Sequence, residues 1–434
     1  MDMNRMIMVS VDDHLIEPPE LWDNLTAAQK AKAPKLVRDP MHGDTWMLEG
    51  RPMPNTGLAA VVGTPREEYG TEPKSLDEMR RGCWDVRARV DDMNANGILG
   101  SLCFGTAFGM DGAAFAKCAD KDMALMLIKG YNDWHIESWC AAAPGRFIPV
   151  AIVPLWNAQL AADEVHRVAN KGCHAIAFTD NPAKHGFPSI HDAGWEPFWK
   201  ALADQGAVLC NHIGTGNSAP FASLETPIDA WIVTMPMAVS VSAADWLWLE
   251  ALQRYPLKIS LSEAGIGWLP YFMERADFTF EHHRRWTRSS FGGKRPSEVF
   301  REHFITCFID DLFGLQNRHA VGVASMTYEC DYPHPDTVWP ESPERLHQCF
   351  IAAQVPDAEI DQITHLNAMR VFRYDPFSVL GRENCVVGAL RALAGNLDTS
   401  PRSYGAARPK PLGTDTRVTS GSMVELMARL HKAA

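Results

Sequence analysis

The sequence lacks several patterns that would assign it to a familiar class of protein. None of its 10 cysteines forms a C-x-x-C pair, and all are scattered through apolar runs. This distribution argues against a zinc ribbon or a disulfide scaffold, and it predicts buried free thiols in a reducing compartment. The N-terminus has no signal-peptide pattern, because its short apolar run meets acidic residues at once. We therefore expect a cytoplasmic protein.

Long apolar runs and an excess of positive charge are also missing. We find no apolar stretch that approaches the ~20 residues of a membrane span. The formal net charge of the 434-residue chain is -12, which disfavours nucleic acids and anionic membranes as partners. The composition, 46% hydrophobic and 22% charged, suits a globular protein with a large core. We expect the partner to be a small-molecule substrate.

Eight short apolar segments alternate with amphipathic helical patterns along most of the chain. These strand candidates are residues 6–12, 97–105, 146–154, 174–180, 207–213, 257–263, 304–310 and 320–326. The alternation predicts a parallel (β/α)8 barrel, an α/β fold of the TIM-barrel type, within a single domain of residues 1–375. An open doubly wound sheet is the competing arrangement. It would normally carry a glycine-rich turn after the first strand, where this chain has acids.

Two regions do not fit the repeat. Residues 30–90 are rich in Pro, Gly, Arg and Glu, and we interpret them as an insertion after strand 1 that serves as a lid or a dimer arm. Residues 376–434 form a C-terminal extension that ends in a short helical pattern, VELMARLHK, and we expect it to be partly mobile or to wrap a neighbour. Both regions favour a homo-oligomer of undetermined size.

Acidic residues and histidines gather where the predicted strands end. The first strand runs into VDDH, in which Asp12 and His14 are two residues apart and therefore share one side of the strand, with Asp13 on the other. The residues that follow later strands are Asp180, His212, Glu263, Asp331 and His334. In a barrel these positions converge on one mouth. Imidazoles and carboxylates together suit Zn²⁺, Mn²⁺ or Fe²⁺, and a cation would remove the cost of burying like charges.

Each of these residues also has a structural interpretation. Asp12 could cap a helix, and His212 could be a hydrogen-bonded core residue. Glu263 could accept hydrogen bonds from the GIGW turn, and Asp331 could hold the proline-containing loop DYPHP. Their occurrence at successive strand ends, in order, favours the metal site.

The same segments resemble a known family, the amidohydrolase-related metal enzymes of the aminocarboxymuconate-semialdehyde decarboxylase type within the amidohydrolase superfamily. The matching stretches include VDDHLIEPPELW, NHIGTG, SEAGIGWLPYFMERAD and CDYPHPDTVWP, and they run in order from about residue 9 to residue 340. The resemblance implies a distorted (β/α)8 barrel, in agreement with the strand count.

The resemblance also implies roles for individual residues. Asp12 and His14 stand where the family places a first-strand pair of ligands, which is often His-x-His. His212 stands at the fifth-strand ligand and Asp331 at the eighth-strand aspartate, which also handles protons. Asp180 stands near the fourth-strand carboxylate that bridges two metals in binuclear members.

The chain departs from the family pattern after strand 6. Many members carry a histidine there, in H-x-G-G-x-L-P, whereas this chain has Glu263 in SEAGIGWLP. In the decarboxylases that histidine assists catalysis. The resulting set holds two histidines and four carboxylates and would serve one metal ion or two; its members are Asp12, His14, Asp180, His212, Glu263 and Asp331.

We therefore expect first a metal-dependent hydrolase acting on a small apolar or aromatic substrate. A metal-activated water would attack the substrate, and Asp331 would accept its proton. Glu263 would be a second proton carrier or a ligand of a second metal. His334 would contact the metal ligands and orient them without binding the metal itself.

Three alternatives stay open. A non-oxidative decarboxylase would be favoured by an arginine at the mouth, and no arginine adjoins the ligand motifs. An O2-dependent hydroxylase with a dinuclear non-haem iron centre is suggested by the carboxylate-rich mouth. A non-enzymatic metal-binding protein is the third alternative, since a fold alone does not define a function.

Overall fold

The computed structural model describes residues 1–40, 42–405 and 417–430. Its centre is a parallel sheet whose strands are buried along almost their whole length, as continuous apolar runs require in an α/β fold. The strands are β1 (Val9–His14), β2 (Gly100–Phe104), β3 (Phe147–Ile148 and Val150–Ile152), β4 (Ala175–Ala177), β5 (Val208–His212), β6 (Lys258–Ser262), β7 (Phe304–Phe308) and β8 (Met326–Tyr328).

The strand order begins and ends at β3. Its first segment pairs with β2 and its second with β4, while β1 lies between β2 and β8. Pro149 separates the two segments because proline has no backbone N–H to donate to a ladder. The two ends of the strand order are thus consecutive parts of the chain, and the predicted (β/α)8 barrel is confirmed.

The eighth strand lies further along the chain than predicted. Residues 320–326 were expected to be extended, but Arg318–Val321 and Val323–Ser325 are helical turns, and β8 begins only at Met326. Val321 is fully buried in its helical turn. A short apolar run fits a buried strand and a buried helical turn equally well, so the periodicity could not distinguish them.

Helices surround the barrel. The longer ones are α1 (Val86–Ala95), α2 (Lys121–Trp134), α3 (Ala158–Ala169), α4 (Glu196–Gln205), α5 (Ile228–Leu247), α6 (Leu269–Thr287), α7 (Pro296–His303), α8 (Ser342–Ala352), α9 (Val387–Ala394) and α10 (Ser420–Leu430). Shorter helices occupy Ala27–Lys30, Ala113–Ala116, Leu312–Gln316, Asp357–Asp361, Asn367–Phe372 and Phe377–Leu380. The helix in VELMARLHK was expected and corresponds to α10.

One helix corrects the expectation about apolar stretches. Helix α5 has 20 residues, and an 18-residue stretch of it has a mean hydropathy of 1.3, so it is long and apolar enough to cross a membrane by length and composition alone. A third of this stretch is buried, at 33%. Ser242 and Trp246 of this helix donate hydrogen bonds to the side chain and the backbone of Asp180, which tie the helix to the end of β4.

The inserted region after β1 folds against the barrel. It contains an antiparallel sheet of three strands, Lys35–Asp39, Gly43–Leu48 and Arg51–Pro54. Further along, the amides of Val61 and Val62 donate to the carbonyl of Pro333 at 3.0 and 3.2 Å. The insertion therefore contacts the loop after β8, where Asp331 and His334 lie.

The C-terminal extension continues these contacts. The amide of Arg402 donates to the carbonyl of Gly63 at 2.9 Å. Residues 406–416 and 431–434, on which part of the expected mobility falls, lie outside the described residues. All 10 cysteines are buried and free, as predicted.

Candidate metal centre

The end of β1 supplies the first two side chains of the site. Asp12 and His14 point to the same side because side chains alternate along a strand. Both are 0% exposed, and the Nε2 atom of His14 lies 3.4 Å from Oδ1 of Asp12. The adjacent Asp13 faces the other way, where its carboxylate accepts hydrogen bonds from Ser101 Oγ and from the amide of Tyr332.

His212, at the end of β5, completes a compact group with Asp12 and His14. Its Nε2 lies 3.2 Å from Nε2 of His14 and 3.5 Å from Oδ1 of Asp12. Its Nδ1 lies 2.8 Å from the carbonyl oxygen of Ile213. A hydrogen on Nδ1 is therefore held by that carbonyl, and Nε2 is the ring atom directed at the cluster.

Asp331 reaches the cluster from the loop after β8. Its Oδ1 lies 3.4 Å from Nε2 of His14, and its amide donates to the carbonyl of Asp12 at 2.9 Å. Asp331 has a φ of 54° and Glu263 a φ of 51°. A left-handed backbone is uncommon for residues other than glycine, and its occurrence at two residues of one cluster is typical of functional sites.

Glu263 and His334 form the side of the cluster that meets solvent. Their side chains are 17% and 18% exposed. The Nδ1 atom of His334 lies 3.0 Å from Asp331 and 3.6 Å from Glu263, and its ring stacks on His14 with centroids 3.7 Å apart. Glu263 also approaches His212, at 3.8 Å. These two side chains are thus more exposed than the fully buried Asp12, His14 and Asp331.

The donor set fits a metal ion. Asp12, His14 and His212 place one donor atom each within 4.8 Å of one another, and so do His14, Glu263, Asp331 and His334. Both carboxylate oxygens of Asp12 and of Asp331 are buried, yet they accept no hydrogen bond from the described residues. Buried carboxylates are costly to leave without a partner. A divalent cation would satisfy them, and the imidazole and carboxylate donors suit Zn²⁺, Mn²⁺ or Fe²⁺.

The electrostatics of the cluster favour the same conclusion. Burial raises the pKa of Asp331 well above its ordinary range, and the carboxylates of Glu263 and Asp12 raise it further. Burial alone would lower the pKa of His212. The negative charges of Asp12 and Glu263 have a larger opposite effect and raise the pKa of His212 to about 10. Burial lowers the pKa of His14 well below its ordinary value, so its imidazole is neutral. In the metal-free protein, the proton on His212 partly balances the acidic charge.

Asp180 does not join these groups. Its carboxylate accepts hydrogen bonds from Ser242 Oγ at 2.5 Å and from the amide of Asn217 at 3.0 Å. Thr215 Oγ1 adds a longer contact of 3.4 Å. The residue thus holds α5 and the loop after β5 in place. Its role as a bridging ligand stays a prediction from the resemblance.

The sequence interpretation missed Glu329. This residue is 2% exposed and lies two positions before Asp331. Its Oε2 accepts hydrogen bonds from the amide of Glu263 at 3.1 Å and from Cys307 Sγ at 2.5 Å. With Asp12 and Cys307 it forms a further group of close donor atoms. The spacing of two from Asp331 was the available signal, because alternate residues at a strand end share a side.

Arg89 was also missed, since it is 75 residues from His14 along the chain. It is 0% exposed, and its guanidinium donates to the backbone carbonyls of His14 and Gly82 and lies 4.0 Å from the ring centroid of Tyr332. No arginine adjoins the ligand motifs in the sequence, but the fold places Arg89 against the backbone of His14. It supports the end of β1 from the side away from the mouth.

Comparisons with known proteins agree with a metal-dependent barrel enzyme. The profile of the amidohydrolase family matches residues 21–374, and the chain belongs to this family. It is 24% identical over 330 residues to the gamma-resorcylate decarboxylase of Rhizobium sp. (strain MTP-10005), which covers 73% of this chain and 96% of that protein.

Two solved structures share the fold. An amidohydrolase of Mycobacterium avium subsp. paratuberculosis superposes with a TM-score of 0.61 at 17% identity, over 85% of this chain and 99% of that one. The 5-carboxyvanillate decarboxylase of Novosphingobium aromaticivorans, solved with bound manganese, gives a TM-score of 0.58 at 16% identity, over 86% and 98%. The match to the family profile confirms the predicted superfamily. The superfamily binds divalent metals, and the cluster described above is where this chain would hold one.

Proposed function

We propose that the protein is a metal-dependent carboxy-lyase that removes a carboxyl group from a small aromatic or unsaturated acid without oxidation. This changes the order of the two leading expectations from the sequence. A relative from Rhizobium is named gamma-resorcylate decarboxylase and one structural neighbour is named 5-carboxyvanillate decarboxylase, and these names support the proposal. A divalent cation bound by Asp12, His14 and His212 would hold the carboxylate of the substrate and a neighbouring oxygen.

The observation that carries the proposal is the environment of Asp331. Its carboxyl is fully buried, and its Oδ1 lies 3.4 Å from Nε2 of His14 and 3.0 Å from Nδ1 of His334. Burial and the neighbouring carboxylates raise its pKa well above the ordinary range, which favours the form that carries a proton. In the proposed reaction, Asp331 gives this proton to the ring carbon that bears the carboxylate. The bond between that carbon and the carboxylate then breaks, its electron pair restores the ring, and CO2 leaves. The proton replaces the lost group, so no oxidant is needed.

His334 would restore the proton to Asp331. It lies 3.0 Å from that carboxyl, and its own side chain is 18% exposed. It therefore connects solvent to the buried acid. Glu263 would hold His334 in position. Burial raises the pKa of Glu263, but the interactions with His212 and His334 lower it more and keep the pKa of Glu263 at about 2. Glu263 would thus stay ionised at the mouth.

The same ionised Glu263 favours hydrolysis as the second candidate. A carboxylate at the solvent edge, 3.6 Å from His334, can take a proton from water as well as position a histidine. Hydrolysis would use Glu263 as the base, whereas decarboxylation uses protonated Asp331 as the acid.

The test is a substrate panel on manganese-loaded protein in D2O. It would contain ortho-hydroxylated benzoic acids together with the corresponding esters and lactones. We expect CO2 release from at least one acid, one deuterium on the ring carbon per turnover, and equal rates with and without O2. Hydrolysis of an ester or lactone with no CO2 release from any acid would refute the carboxy-lyase and favour the hydrolase. A requirement for O2 would favour the hydroxylase.

A further inference from the structure

Glu329 is a buried acid to which the proposed reaction assigns no step. It directly follows β8 and is 2% exposed. Its amide donates to the carbonyl of Phe308, the last residue of β7, at 3.1 Å, which fixes its backbone at the strand ends. A polar group is costly to bury unless it is hydrogen-bonded. The groups that the Glu329 carboxyl meets therefore indicate what the residue does.

One oxygen of Glu329 holds the backbone of Glu263. Oε2 accepts a hydrogen bond from the Glu263 amide, with 3.1 Å between the two atoms. Glu263 comes directly after β6 and has a φ of 51°, a conformation that residues other than glycine rarely adopt. Such a conformation persists only where the surrounding structure imposes it. The hydrogen bond to Glu329 is one such constraint, and it sets the direction in which the Glu263 side chain leaves the backbone.

Cys307 holds the carboxyl of Glu329 in turn. Its thiol is fully buried on β7, and it lies 2.5 Å from Oε2 of Glu329 and 3.3 Å from the carbonyl oxygen of Leu261 on β6. Glu329 thus joins the ends of three neighbouring strands, β6, β7 and β8. Its contact with Glu263 requires only an accepting oxygen, which a carboxylate, a carboxylic acid and an amide all possess.

The contacts continue from Glu263 to the proposed acid. An oxygen of Glu263 lies 3.6 Å from Nδ1 of His334, and the same Nδ1 lies 3.0 Å from Asp331. A change in the backbone of Glu263 would therefore move the carboxylate that holds His334 beside Asp331. A displacement of about 1 Å near the reacting groups can lower a rate about 100-fold.

We propose that Glu329 is a positioning residue, which fixes the left-handed backbone of Glu263 and thereby aligns His334 with Asp331. This role rests on the proposed function, in which His334 returns the proton to Asp331. Since only an accepting oxygen is needed, the conservative variant Glu329→Gln should keep most of what Glu329→Leu loses. Glu329 also lies close to Asp12 and Cys307, and a role as a metal ligand predicts instead that both variants lose the metal.

The first measurement is hydrogen–deuterium exchange of the manganese-loaded full chain, resolved to single amides. It needs no substrate. In Glu329→Leu the Glu263 amide loses its acceptor, and we expect it to exchange about tenfold faster or more. In Glu329→Gln we expect exchange within about threefold of wild type. Elemental analysis should find the same manganese content in both variants.

The second measurement is steady-state kinetics on the acid from which the wild type releases CO2 in the substrate panel. Glu329→Leu should lower kcat about 10–100-fold with little change in KM, because the substrate still binds but the proton comes from a displaced group. Glu329→Gln should recover most of this loss. A general loss of packing would not separate kcat from KM, nor one variant from the other.

Glu164 provides matched controls. It is 1% exposed on α3 and accepts hydrogen bonds from Asn132 and Arg167, so Glu164→Leu and Glu164→Gln make the same changes in a buried acid of the outer helices. Neither should alter the exchange of the Glu263 amide or kcat. If Glu329→Leu does not fold, Glu329→Ala repeats the test without the bulk of leucine.

The two measurements separate the possible failures. Unchanged exchange of the Glu263 amide in Glu329→Leu would overturn the proposal, and so would a Glu329→Gln variant that loses as much kcat as Glu329→Leu. Loss of manganese from both variants would also overturn it and identify Glu329 as a metal ligand. Faster exchange in Glu329→Leu, with no CO2 release from any acid by the wild type, would refute the carboxy-lyase and still support the positioning of Glu263.

Discussion

Metal binding should depend strongly on pH, because the site must release a proton when it accepts a cation. His212 has a pKa of about 10 in the metal-free protein, since Asp12 and Glu263 hold its proton despite burial. Its Nδ1 faces the Ile213 carbonyl, so the proton to be displaced is the one on Nε2. At neutral pH this nitrogen is almost fully protonated. The metal therefore competes with a proton for the same lone pair.

The magnitude follows from that competition. Below the pKa of His212, each unit of falling pH raises the proton concentration tenfold and lowers the apparent affinity about tenfold, or about 1.4 kcal/mol. From pH 8 to pH 6 the loss should be about 100-fold. Asp331, whose pKa is raised by burial, would make the dependence steeper if it also releases its proton. One proton per ion is thus the minimum.

The assay is competition for Mn²⁺ between the metal-free protein and a chromophoric chelator of known pH dependence, at pH 6, 7 and 8. Calorimetry in two buffers of different ionisation enthalpy would count the protons released. An affinity that changes less than about twofold across this range, or binding without proton release, would refute the assignment of His212 as a protonated ligand.

Four substitutions test the remaining assignments. Asp331→Asn should lower kcat about 10²–10⁴-fold, because the amide cannot transfer the proton; a kinetic assay on the identified substrate would check this. Glu263→Gln should keep the bound metal, measured by elemental analysis, but lower kcat, because the neutral amide loses the charge that holds His334 beside Asp331. Arg89→Met should lower the free energy of unfolding by about 1–3 kcal/mol, because buried carbonyls lose their donor. Urea unfolding would measure this change. The exposed control Arg87→Met should stay within about 0.5 kcal/mol of wild type. Asp13→Ala should keep the metal but lose about 1–3 kcal/mol of stability, since Ser101 and the Tyr332 amide lose a buried acceptor; loss of metal instead would show that its side chain belongs to the site.

The alternation of apolar runs and helical patterns was enough to predict the barrel. Seven of the eight predicted strands overlap observed ones at their centres. Runs of buried apolar residues are a local property, and a parallel barrel requires them at regular intervals. The eighth was displaced because AVGVAS packs as helical turns. No local pattern separates the two conformations for so short a run.

The polar groups that gather at the strand ends could also be predicted from the sequence. Asp12, His14 and His212 lie at the C-terminal ends of their strands and Asp331 lies in the loop after β8. Strands in a parallel barrel end on one face. Spacing by two residues separated Asp12 and His14 from Asp13 because side chains alternate. The sequence by itself therefore determined the fold class, the face that carries the site and most of the polar groups on it.

Tertiary structure alone decided which of these groups meet. Ser242 lies 62 residues from Asp180 and occupies its carboxylate, whereas His334 stacks on His14 and joins the cluster. Arg89 supports His14 from 75 residues away. The pKa values depend on burial and on neighbours brought together by folding, so no local signal contains them. Sequence periodicity tells which side of an element a residue occupies, but only the packed chain determines what it faces there.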